Sequence, residues 1–131
     1  MNNVSINDEA FQNTDAYKNF ISENPLKGDL SIRAYAASEA LPIANVNVIV
    51  SKIIDNQKIV FFEGKTNNSG LIDGITLPTH AINQDDLVAP IATKYDIEAI
   101  YDSEDLLYHV NMYSGIRVIQ NIILVPEMDG R

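Results

Sequence analysis

Residues 63–78, EGKTNNSGLIDGITLP, decide how the rest of the chain is read. A polar, turn-forming cluster sits between two apolar runs, and the second run stops at Pro78. Asn67, Asn68 and Ser69 favour turns because their short side chains compete for nearby backbone groups. Gly70 supplies a positive φ without a Cβ clash. The stretch predicts a strand ending at Gly64, a tight turn over 66–71 with Asn67, Asn68 and Gly70 as its structural residues, and a short strand bulged at Gly74. That pattern is architecture, not a reaction centre.

Working outward, the same period of two recurs. DLSIRAYA sets Leu30, Ile32, Ala34 and Ala36 on one face, and ANVNVIVSK does so with Val46, Val48 and Val50. Between them, Pro42 in ASEALPI interrupts pairing. QKIVFFEG is apolar on both faces and belongs well inside a sheet, with IDNQ before it as a hairpin turn. Downstream, THAINQDDLVAPIAT has no clear period. A loop of that length, here 79–93, is uncommon unless it carries function. KYDIEAIY then turns Tyr95, Ile97, Ala99 and Tyr101 one way. LLYHVNMYS and GIRVIQNIILVP read as a last hairpin turning at Ser114-Gly115. The expectation is a mainly β, seven-stranded, mostly antiparallel Ig-like sandwich. Val46, Val48, Val50, Phe61, Ile97, Ile122 and Leu124 are its expected core.

Residues 1–28 differ from this β region at 29–126, and 127–131 read as a frayed tail. Tyr17, Phe20 and Ile21 share the spacing of one helical face, with Phe11 just before them. Asp15 is the expected cap, and Pro25 and Gly28 the stop. The segment reads as a partly helical arm. Phe11, Tyr17, Phe20 and Ile21 either pack on their own domain or dock on a partner, and both readings stay open.

Eighteen acidic residues against nine basic ones give a net charge of −9. Phosphates would be repelled, which argues against nucleic-acid partners. The absence of cysteine excludes thiol nucleophiles and zinc–thiolate sites. No apolar run is long enough for membrane insertion. The opening residues lack the basic and apolar regions of a Sec signal, so synthesis is expected in the cytoplasm, with the final site, including a spore or cell surface, left open. His80 and His109 are the only histidines and have no metal-ligand spacing. DSED (102–105) and QDD (84–86) lack the spacing of a calcium loop and read as solvated acids. GKTNNSG lacks the upstream glycine of a phosphate loop. No serine lies in a nucleophile elbow. No catalytic, cofactor-binding or metal-ligating residue is predicted.

GDLSIRAYA, ALPIANVNVIV, GKTNNSGLIDGITLP and YDIEAIY together resemble the carboxypeptidase regulatory-like, transthyretin-like family of β-sandwiches. Val46 stands where that family commonly has alanine, and Asn67 and Asn68 where it has aspartate. ENPLKG, ALPI, TNNSGLID and YSGIRVIQNIILVP are similar to small Firmicutes proteins of this type, and to a module in the N-terminal pro-region of the clostridial spore cortex-lytic enzyme. The Tyr-Arg-Gly-Ser signature of the purine-pathway hydrolases in the transthyretin group is absent. Some pilin-type sandwiches with a similar strand order carry a Lys–Asn isopeptide bond assisted by a glutamate. Lys27, Glu98 and Asn121 come in that order, but Lys27 precedes the predicted first strand. The resemblance implies a noncatalytic interaction or structural module from a Gram-positive, spore-forming or related bacterium. It would bind protein partners or further copies of itself through the arm. The competing expectation is a carbohydrate- or cell-wall-binding module, or a small enzyme, using the 79–93 loop.

Overall fold

A computed structural model describes residues 3–36, 41–81 and 91–125. In chain order its elements are β1 (Val4–Ser5), α1 (Glu9–Gln12), α2 (Asp15–Glu23), β2 (Leu26–Ala36), β3 (Asn47–Ile54), β4 (Gln57–Lys65), β5 (Leu71–Thr79), β6 (Thr93–Tyr101), β7 (Glu104–Met112) and β8 (Arg117–Leu124). One sheet runs β1-β4-β3-β6-β7 and the other β5-β2-β8. Their facing sides share one core, in which Leu30, Ile32, Val46, Val48, Val50, Leu77, Tyr95, Ile97, Met112 and Ile122 are fully buried. The chain is thus a mainly β sandwich whose seven longer strands follow a short helical segment.

Alternation set the faces as expected. The β3–β4 hairpin turns on Asp55 and Asn56, both at positive φ (53° and 62°), the geometry that matches strand twist in two-residue hairpins. In β5 the register with β2 shifts opposite Leu30–Ile32, and Gly74 takes φ +76° there, so the expected bulge is present. β4 continues one residue past Gly64, and β5 one past Pro78. Pro78 is tolerated because β5 is an edge strand and its missing N–H leaves no neighbour unbonded.

Several expectations are corrected. β7 and β8 do not form a hairpin: β8 crosses to the other sheet and pairs parallel with β2 from Asp29↔Arg117 to Ala36↔Leu124. The Ser114-Gly115 turn is held by β2 instead, with Gly115 N–H donating to Lys27 O at 2.9 Å. Phe61 is half-buried, since the β3–β4 register shifts after Val50 and both Phe61 and Phe62 lie opposite that one residue. β2 begins at Leu26, so Lys27 and Gly28 lie within it. Gly28 is required there, because a Cβ would come within 2.7 Å of Tyr113 O. Finally, Thr14 rather than Asp15 caps α2, its Oγ1 accepting from Tyr17 N–H at 3.2 Å.

Each outer face carries a buried serine on its central strand. Ser51 in β3 lies beneath the Lys58–Glu98 ion pair, which spans from β4 to β6. Ser31 in β2 accepts from Arg117 Nε and Nη2 at 3.3 and 3.2 Å, and the same guanidinium approaches Asp29 and Asp73. In both places a small residue makes room for a long cation lying across the sheet.

Candidate interaction site

The arm folds back on its own domain. Phe20 enters the core, where its ring meets Phe61 (centroids 5.6 Å apart), which in turn meets Tyr95 edge-on (5.0 Å). Tyr95 is fully buried and donates to Pro78 O, and burial pushes its phenol above the usual tyrosine range. Asn24 ends α2 and locks it down: its amide donates to Phe20 O, and its Oδ1 accepts from Thr93 Oγ1 at 2.7 Å. Thr93 Oγ1 in turn accepts from His80 N–H. Phe11 is buried and meets Tyr17 edge-on at 5.6 Å, while Tyr17 and Ile21 are half-buried. Phe11 and Phe20 are therefore covered within one chain.

The turn residues serve a corner between sheets. Asn67 Oδ1 accepts from the N–H groups of Ser69 and Leu71, at 2.9 and 3.0 Å. Gly70 takes φ +73°, and a Cβ there would lie 2.4 Å from Ala34 O. Asn68 is exposed. Thr66, which the sequence did not single out, is buried and ties the corner to residues 43–46. Its Oγ1 donates to Ile43 O at 2.7 Å and accepts from Val46 N–H at 3.0 Å.

A stripe of exposed apolar side chains lies elsewhere, on β8. Ile119, Ile123 and the adjoining Val125 are 53%, 44% and 63% exposed, alternating with buried Ile122 and Leu124. β8 ends its sheet, and β7, which ends the other, carries Leu107 at 60% exposure. Successive backbone groups of a strand point to opposite sides. Ile123 N–H reaches Tyr108 Oη at 3.3 Å and Val125 N–H reaches Glu104 Oε2 at 3.5 Å, so the odd-numbered residues of β8 direct their backbone away from β2. Asn121 O is met by the Gln120 side chain at 3.0 Å. Among the described residues, Arg117 and Ile119 have no such cap. One signal was legible: residues 116–125, IRVIQNIILV, are apolar at both odd and even positions. A single buried face does not require that.

The isopeptide set is not brought together. Lys27 pairs with Pro78 in register, Glu98 holds Lys58 on one outer face, and Asn121 stands beside Arg33 on the other. His109 Nδ1 contacts Asp96 at 2.7 Å on an exposed face, whereas His80 lies near Thr93, far along the chain. Among the described residues, no three His, Asp or Glu side chains cluster as a metal site would require. No helix there is long and apolar enough to cross a membrane. Residues 82–90, with QDD, and the tail at 127–131 lie outside the described residues.

No family model and no curated protein matches the chain. Among solved structures it is similar to the 5-hydroxyisourate hydrolase of Klebsiella pneumoniae. The identity is 17% and the TM-score 0.48, over 77% of this chain and 92% of that one. A likeness at this level says nothing of activity, ligand or partner.

Proposed function

We propose that this protein is a noncatalytic interaction module that self-associates along the open stretch of β8. The observation that carries the reading is the exposed Ile119–Ile123–Val125 stripe on an edge strand whose first half is uncapped among the described residues. Self-association suits the register. A two-fold axis at Ile119 would pair two β8 strands antiparallel, with Ile119 against Ile119 and Arg117 against Asn121. These residues all direct backbone groups outward, and no like charges face each other. Elsewhere the net charge of −9 keeps copies apart. Such an isologous contact would join two three-stranded sheets into one. The self-association expected of the arm thus moves to β8, because the arm's largest apolar side chains are already buried. A Gram-positive, spore-forming source belongs to the same proposal and rests on the quoted motifs alone.

Sedimentation velocity over a concentration series tests it, on the parent and on Ile119→Lys, which sets two ammonium groups against each other at the two-fold. The expected result is a parent dimer and a folded, monomeric variant. A parent that stays monomeric at the highest concentration, or a variant that dimerises equally well, overturns the proposal.

A further inference from the structure

On the outer face of β5-β2-β8 a cleft of about 420 Å³ opens beside β8. That is within the size range of small-ligand sites. Arg33 and Tyr35 come from β2, Asn121 from β8, Ser69 from the Asn67–Gly70 turn and Pro42 from the segment leading into β3. We propose that this cleft binds a carboxylate, with the Arg33 guanidinium as its anchor.

The donors converge through the fold. Arg33 and Asn121 are direct register partners on adjacent parallel strands, so their side chains rise side by side from the same face. Ser69 is fixed because Asn67 Oδ1 holds its N–H and because Gly70 rests against Ala34, with Gly70 O accepting from Ala34 N–H at 2.8 Å. Opposite, Tyr35 and Pro42 are bridged backbone to backbone and form a less polar wall. A guanidinium fork, an amide and a hydroxyl beside such a wall match a planar oxyanion attached to an organic stem.

Charge selects further. On the same face Arg117 already faces Asp29 and Asp73, whereas among the described residues Arg33 has no carboxylate partner. The chain as a whole carries −9. That field penalises a doubly charged phosphate about twice as much as a singly charged carboxylate. A cleft lined by one arginine and no second cation therefore favours the monoanion. The stem can belong to a free organic acid or to the C-terminus of a polypeptide, since both present the same group.

The test is NMR titration of the full isotope-labelled chain with three probes: benzoate, a short neutral peptide with a free C-terminus, and the same peptide amidated. The expected result is saturable shifts at Arg33 Nε, Ser69, Gly70 and Asn121 with one or both free carboxylates, and none with the amide. A response to benzoate alone assigns a small acid, and a response to the peptide assigns a chain terminus. Arg33→Gln should weaken binding at least about tenfold. Arg33→Lys, which keeps the charge but loses the fork, should weaken it less. Lys18→Gln, which removes an exposed charge on α2, should leave the affinity unchanged. The titration is repeated at a concentration where sedimentation shows a monomer, and the same shifts there separate this site from β8 pairing. Absence of saturable shifts with either carboxylate, equal shifts with the amide, or unchanged affinity in Arg33→Gln overturns the assignment.

Discussion

At the β4 edge the chain closes its own sheet with backbone and core. β1 pairs parallel with β4 through Val4↔Ile59 and Ser5↔Val60, Ile6 N–H adds a bond to Val60 O, and α2 drives Phe20 inward behind them. At the β8 edge, among the described residues, only side chains intervene, from Tyr108, Glu104 and Gln120, and Arg117 and Ile119 have none. The first closure is coupled to folding: opening it exposes buried rings. The second can be exchanged for another strand's backbone without disturbing the core. The short β1 and Pro78 in β5 blunt two edges of the sandwich, whereas β8 carries an exposed apolar stripe along its edge.

The largest effect should come from the core that supports both edges. Val48→Asp puts an unpaired charge in a fully buried position and should cost about 4 kcal/mol or more, read by chemical denaturation. Next comes the sealed edge itself. Phe20→Ala should cost about 3 kcal/mol and raise hydrogen exchange in α2 and β1 before β8 responds. Equal protection loss at both edges would break the comparison. Gly70→Val should cost about 2 kcal/mol through its φ and the contact with Ala34 O, with the strain confined to the corner on the β5 side of β2.

A smaller effect is set by pH. Tyr95 is raised in the folded state, so above pH 10 the unfolded chain loses its phenolic proton while the folded chain keeps it. Stability is then fully present below 10 and falls as pH rises, by about 1.4 kcal/mol per unit. Tyr95→Phe should flatten that fall in denaturation midpoints taken between neutral and strongly alkaline pH. Smallest of all, Ile123→Thr on the open edge should change folding stability by no more than about 0.5 kcal/mol. A larger loss in the isolated monomer would show that β8 is part of the seal.

Alternation told which side chains face inward, because burial on one face imposes a period of two. It did not tell which strands are partners. Tyr113 to Ile116 is short enough for a hairpin, and only Lys27 O, ninety residues upstream or nearly so, reveals that the turn belongs to β2. The adjacent Phe61 and Phe62 hid a register shift that no single-strand pattern encodes. Asn24 and Thr93 looked like ordinary polar residues, since their pairing joins positions 69 residues apart. Arg33 was visible only as an outward residue of β2. Its neighbours Ser69 and Asn121 come from distant segments that meet only after folding.

The parallel pairing of β2 with β8 also decides how the molecule bears load. A pull applied through Leu26 at one end and Leu124 at the other draws the two strands past each other lengthwise. The register from Asp29↔Arg117 to Ala36↔Leu124 is then strained all at once, in shear, rather than bond by bond as when a hairpin is unzipped. Resistance of that kind is governed by the height of the unfolding barrier and not by the folding equilibrium. Tension along this axis loads the whole ladder together.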